Sequence, residues 1–193
     1  MKRAGVDTSV SGGDHAKPVP PIRSRGRKYA VLLIELAAFF AVFMGVSAYQ
    51  SRNLLDTDKQ AAPALVATTL QSSVYNLSAN KGQPVLIYFF APWCPYCAAS
   101  ADNIVRLRRL RDEEKLNILI VALDWDDQKQ IEAYAKKHQL NVPVLLADST
   151  VAHDWKVFGF PTYYVLDSEH RVVRRDFGYS TQFGLWWRTW LVE

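Results

Sequence analysis

The 193-residue sequence predicts an α/β fold: a mixed sheet flanked by helices, preceded by one apolar helix of membrane-spanning length. Three observations carry this expectation. Val85–Phe90 and residues 118–123 are unbroken apolar or aromatic runs, the pattern of strands buried on both faces. Helical spacing follows each of them, with Ile104, Leu107 and Leu110 on one face after the first and Ile131, Tyr134 and Ala135 after the second. Residues 29–48 are twenty residues with a single charge, Glu35, about the length that crosses a bilayer.

Taken in order, residues 1–28 carry Pro18, Pro20, Pro21 and the basic cluster Arg23, Arg25, Arg27, Lys28, and are expected to be a disordered cytoplasmic tail. Residues 29–48 are expected to be an uncleaved transmembrane anchor. Val46-Ser47-Ala48 also reads as a signal-peptidase site, but the apolar segment is long for a signal peptide and its basic lead is long too. Basic residues precede the span, and only Arg52 and Lys59 follow closely, which orients the N-terminus to the cytoplasm. Glu35 inside the span marks a candidate contact with another membrane helix. Residues 49–70 are polar and Ala-rich with Pro63, and read as a linker. The folded domain is expected over residues 71–193. It starts with an edge strand or turn around Val74, Tyr75 and Leu77. A third strand is expected over residues 142–147 and a short helix over 149–157 with Trp155. A hairpin then joins Thr162–Leu166 to residues 171–177 through Asp167-Ser168-Glu169-His170. A final helix is expected to lay Leu185, Trp186 and Trp190 over the sheet, with some aromatic surface left exposed.

The chemistry sits between the first strand and its helix. Ala91-Pro92-Trp93 ends the strand, and Cys94-Pro95-Tyr96-Cys97 opens the helix. Cys94 suits the N-cap and Pro95 the first helical position, where a missing N–H costs little. The Cys94 sulfur then meets free backbone N–H groups at the positive end of a helix dipole, which favours thiolate. Cys97 lies one turn further, within reach to close a disulfide. The motif therefore points to dithiol–disulfide exchange. Cys94 would attack as nucleophile and Cys97 would resolve the mixed disulfide.

These residues, with Phe160-Pro161-Thr162 and the order of the elements around them, resemble the active-site strand and loop of thioredoxin-fold proteins. The nearest likeness is the membrane-anchored TlpA-like branch, which includes ResA-type and ScsD-type thiol–disulfide proteins. The resemblance covers roughly residues 71–193. It implies a thioredoxin-like sheet with a TlpA-type strand–helix–strand insertion at residues 118–147, and a catalytic pair Cys94 and Cys97. It also implies a substrate rim of Trp93, Pro95, Tyr96, Phe160, Pro161 and Thr162, with Pro161 in cis so that residue 160 offers its backbone to an extended peptide. Protein thiols and disulfides would be the substrates. The electron donor would be a membrane protein of the DsbD type, and the site would be the periplasmic face of a bacterial inner membrane. The reductant direction is favoured, towards partners such as apocytochrome c or copper-stress proteins, over a DsbA-like oxidant. Two departures stand out. Thioredoxin has a buried Asp where this chain has Tyr88, and ResA-type proteins have a Glu where it has Ser100.

Charge and composition exclude other classes. Residues 1–28 carry seven Lys or Arg against Asp7 and Asp14, whereas residues 49–193 carry 16 basic and 16 acidic side chains. The domain is neutral, so no electrostatic footprint for nucleic acid exists. No cofactor is expected. Two cysteines without a compact histidine motif do not make a zinc site. A Cu(I)-binding module is the non-enzymatic alternative, because soft thiolates select that ion, but no Met or His adjoins the pair.

Overall fold

The computed structural model describes residues 25–58, 60–190 and 192. The chain divides between residues 43 and 44 into two compact units. Helix α1, Arg25–Ser51, supplies the described part of the first. Its Tyr29–Val46 segment is long and apolar enough to cross a membrane, and none of that window is buried. Leu33, Ile34, Phe39, Phe40 and Val42 are exposed around it, so the helix is apolar on all sides rather than along one stripe. Residues 1–24 of the expected basic tail lie outside the described residues, and residues 25–28 are helical.

The second unit is built on a seven-stranded sheet. Its strands are β1 Val66–Thr69, β2 Val74–Asn76, β3 Val85–Phe90, β4 Asn117–Ala122, β5 Val144–Leu146, β6 Thr162–Leu166 and β7 Val172–Phe177, in the order β2-β1-β5-β4-β3-β6-β7. Strands β3, β4 and β5 run parallel, joined by α2 (Pro95–Leu110) and α3 (Gln128–Lys137). The remaining pairings are antiparallel. This is the mixed α/β sheet expected of a thioredoxin-like domain. The short helix α4, Ser149–Asp154, and the final α5, Gln182–Trp190, complete it.

Strand β3 lies between β4 and β6, and all six of its side chains are buried. Alternation sends them to two cores. Leu86, Tyr88 and Phe90 face α2, α3 and α5, packing with Ile104, Leu107, Ile131 and Leu185. Val85, Ile87 and Phe89 face the other side, with Leu65, Trp155 and Tyr164. The unbroken apolar run is thus the consequence of covering on both faces.

Two expectations are corrected. The stretch 49–70 is not a free linker: Leu54 and Leu65 are buried, and Val66–Thr69 forms β1, pairing with β2 and β5. Arg175 donates to the carbonyls of Leu54 and Leu55 at 3.0 and 2.7 Å, and Ala61 bridges Arg171. The polar composition of the stretch hides its scattered apolar residues, and the partners of β1 include a strand some 75 positions away, as Thr69 opposite Leu145 shows. The second correction is confined to Trp190. Leu185 is buried and Trp186 packs against the same core as expected, but Thr189, four residues after Leu185, continues the buried line, while Trp190 is half exposed and stacks on Trp186 at 5.4 Å.

Because Leu54 is only 1% exposed, Leu54→Ala is expected to remove about 2–4 kcal/mol of stability. Urea unfolding measures this, and an unchanged midpoint would show that the segment is a detached tether after all.

Candidate active site

The site forms where β3 ends and α2 begins. Cys94 is the N-cap of α2, and Pro95 occupies its first turn. The Cys97 backbone N–H donates to Cys94 Sγ at 3.2 Å, so a helix-terminal donor meets the sulfur directly. Cys94 is 4% exposed and Cys97 0%, and both are free thiols. Cys97 lies beneath Cys94 against the β3 side of the sheet, in one cluster with Tyr88, Phe90 and Ala101.

Burial pushes the Cys97 thiol well above its ordinary range, and the neighbouring Cys94 sulfur adds to the rise. The Ala91 backbone and the Tyr88 hydroxyl oppose it more weakly. Stability follows by linkage. Below the ordinary thiol value of about 8.5 the folded and unfolded chains both hold this proton. Above it the unfolded chain releases a proton that the folded chain keeps, so stability falls as pH rises. The reduced protein is therefore expected to lose stability relative to the oxidised protein between neutral and alkaline pH. Urea titrations of both forms measure the difference, and parallel pH curves would contradict it. The buried tyrosines add a loss of the same sign at higher pH in both forms, which the comparison cancels.

The loop before β6 closes the site from the other side. The Phe160–Pro161 peptide is cis. The Phe160 carbonyl accepts from the Cys94 thiol at 3.7 Å, and Thr162 Oγ1 donates to the Gly159 carbonyl at 2.8 Å, fixing the turn. Gly159 is required here because a Cβ would sit 2.9 Å from the Phe177 ring. Pro161 and Thr162 are buried, while Phe160 is partly exposed.

Of the rim residues, Trp93 is 64% exposed yet fixed. Its Nε1 donates to Asp124 Oδ2 at 3.0 Å and to the Asp124 carbonyl at 3.2 Å, and its ring meets Phe160 edge-on at 6.0 Å. Pro95 and Tyr96 are exposed beside Cys94. All eight residues singled out in the sequence therefore gather at one place. A groove of about 480 Å³ runs from Phe158 and Phe160 to Asp124, Trp125 and Asp148, alongside the rim.

The sequence reading missed the surroundings of Cys97. Tyr134 from α3 and Tyr163 from β6 converge there with Tyr88. Tyr163 lies directly opposite Tyr88 in register, with ring centroids 5.1 Å apart. Sheet pairing is the signal that finds Tyr163, and no linear motif finds Tyr134. Asp102, by contrast, faces away and pairs with His138 Nδ1 at 3.0 Å.

A helix-capping thiol over a buried second thiol, with a backbone loop at van der Waals reach, performs thiol–disulfide exchange. Fold and site together define the class, a thioredoxin-fold thiol–disulfide oxidoreductase. The chain belongs to the AhpC/TSA family, whose model matches residues 59–175. It is 27% identical to the "Thioredoxin-like protein YneN" of Bacillus subtilis, over 72% of this chain and 82% of that one. It is 25% identical to a "Thiol-disulfide oxidoreductase ResA" of Bacillus cereus, over 81% and 88%. Among solved structures, a thiol:disulfide interchange protein of Chlorobium tepidum superposes with a TM-score of 0.64 at 19% identity, covering 72% of this chain and 99% of that one.

Proposed function

We propose that the protein is a membrane-anchored thiol–disulfide oxidoreductase that reduces disulfides of partner proteins on the periplasmic side of a bacterial inner membrane. The observation that carries this reading is the position of Cys94 Sγ. It caps α2 and stands beside the Phe160 carbonyl, with the Cys97 thiol held protonated below it. Cys94 attacks the partner disulfide and joins one partner sulfur while the other leaves. Cys97 then attacks Cys94, closing the Cys94–Cys97 disulfide and releasing the reduced partner. Trp93, Pro95, Tyr96, Phe160, Pro161 and Thr162 form the surface that receives the partner chain. The backbone of Phe160 is available for strand-like pairing.

Anchoring and orientation are supported by the span Tyr29–Val46 and by the basic cluster that precedes it. The names of the relatives support exchange with protein thiols. The reductant direction rests on the TlpA-like resemblance, and with it comes an electron donor of the DsbD type in the same membrane.

The reduction potential of the Cys94/Cys97 pair tests the direction, measured on the full chain in detergent by equilibration with glutathione. A value near that of thioredoxin, about −270 mV, supports a reductant. A value near that of DsbA, about −120 mV, makes it an oxidant instead. Stoichiometric Cu(I) binding by a protein without exchange activity would overturn the enzymatic reading.

A further inference from the structure

The resolving thiol has a proton to lose before it can attack, and its surroundings supply no carboxylate to receive it. The buried polar side chains of the described residues include no aspartate or glutamate. What surrounds Cys97 instead is a set of hydroxyls. Tyr88, fully buried on the central strand, donates to the Cys97 carbonyl at 2.9 Å. Tyr134 and Tyr163 flank Tyr88. The hydroxyls of Tyr134, Tyr163 and Ser100 are buried without completing a hydrogen bond, although Tyr134 faces Tyr88 and Tyr163 faces Ser100 closely enough to interact electrostatically. Orphaned hydroxyls cost free energy in a core. Here two of them, on Tyr134 and Tyr163, lie close enough to Cys97 to interact with its charge.

The geometry points to Tyr88 as the hydrogen-bond donor that supports the Cys97 thiolate during resolution, in place of an ionisable base. As the Cys97 S–H bond breaks, the Tyr88 hydroxyl turns from the Cys97 carbonyl to the sulfur. That carbonyl lies within the first turn of α2, where an intrahelical donor remains. The thiolate attacks Cys94 Sγ, the Cys94–Cys97 bond forms, and the bond from Cys94 to the partner breaks. The departing partner thiolate takes up the proton that Cys97 lost, so the step is balanced without a further reactant. The rings hold the hydroxyl in place: Tyr88 stacks on Phe90 at 5.9 Å and packs on Tyr163 at 5.1 Å. Charged groups stand further out. Asp102 and His138 lie beyond Tyr134, and Asp176, paired with Arg188 at 2.8 Å, lies beyond Tyr163.

This inference rests on the exchange reading above, and one assay separates the two. Reduced full-length protein is mixed with the small disulfide DTNB, and release of its coloured thiolate is followed by stopped flow. Cys94 attack gives a first phase that scales with DTNB concentration. Cys97 resolution gives a second phase that does not; the aromatic thiolate released from DTNB is too weak a base to take the Cys97 proton, so in this assay buffer takes it in place of the leaving thiolate. In Tyr88→Phe the first phase is expected to be unchanged and the second about tenfold slower, the effect of one lost hydrogen bond to a charged group. The alkaline rise of the second phase is expected to move up by about one pH unit. Tyr75→Phe, which removes a hydroxyl held by Asn117 Nδ2 on the edge strand β2, is expected to leave both phases alone. If Tyr88→Phe does not fold, the pH profile of the unaltered protein decides. A single alkaline rise supports Tyr88, whereas an inflection between about pH 5 and pH 8, the range of a buried carboxylate or a histidine, overturns it. A second phase identical in Tyr88→Phe also overturns it. Absence of any second phase in the unaltered protein overturns the exchange reading itself.

Discussion

Cys94→Ser is expected to abolish exchange, lowering the rate of disulfide reduction by more than about 10³-fold, because only a thiolate is a competent nucleophile at neutral pH. A serine hydroxyl at the same N-cap would still accept from the Cys97 N–H and would hold α2 in place, as Ser is among the preferred capping residues. The fold is therefore expected to survive while the chemistry is lost. Insulin reduction with dithiothreitol as donor measures the activity, and a urea melt checks the fold. Retention of a tenth or more of the activity in a folded variant would move the attacking role to Cys97.

Cys97→Ser is expected to convert the protein into a trap. Cys94 can still attack, but the mixed disulfide then has no intramolecular thiolate to break it, so partners stay attached through Cys94. The geometry argues for this order. Cys94 is the sulfur that receives a helix-terminal N–H and stands next to Phe160, whereas Cys97 has no exposed surface. Non-reducing gels of membranes from cells carrying Cys97→Ser are expected to show dithiothreitol-sensitive adducts, absent when Cys94 is replaced as well. A folded Cys97→Ser protein without adducts would reverse the assignment.

These outcomes depend on different parts of the molecule. Attack uses what the helix start supplies, a backbone donor and a positive dipole end. Resolution, in the reading proposed above, depends on the interior, where desolvation keeps Cys97 protonated and the Tyr88 hydroxyl is the polar group at hand. A site of this kind separates the two half-reactions by environment rather than by residue type. It explains how one turn of helix holds two cysteines of different behaviour.

Much of the site is legible in the sequence. Alternation could not separate the faces of Val85–Phe90, but the unbroken run itself announced a strand covered on both sides. Cys94-Pro95 fixed the helix start, since Pro fits only the first turn and the residue before it becomes the cap. Phe160-Pro161-Thr162 was placed beside the dithiol by resemblance, and the chain does bring it there from 66 positions away. The linker reading failed over residues 54–69 because local composition is a poor guide where burial is supplied by distant partners. Leu54 is held by Arg175, and Leu55 by Arg175 and Tyr164, all more than a hundred positions on.

The periodicities, the capping dipeptide and the apolar span follow from residue order alone, because each of them is local. Backbone sterics and hydrophobic patterning act over a few residues and are written in the order of the chain. Tertiary structure alone decided which hydroxyls surround Cys97, that Trp93 is fixed on Asp124, and that β1 belongs to the sheet. Each depends on pairings between segments far apart in sequence, in which the sheet register sets Tyr163 opposite Tyr88, and helix packing carries Tyr134 to the same side. Such convergence has no linear signature, because it is the close packing of both cores that selects it.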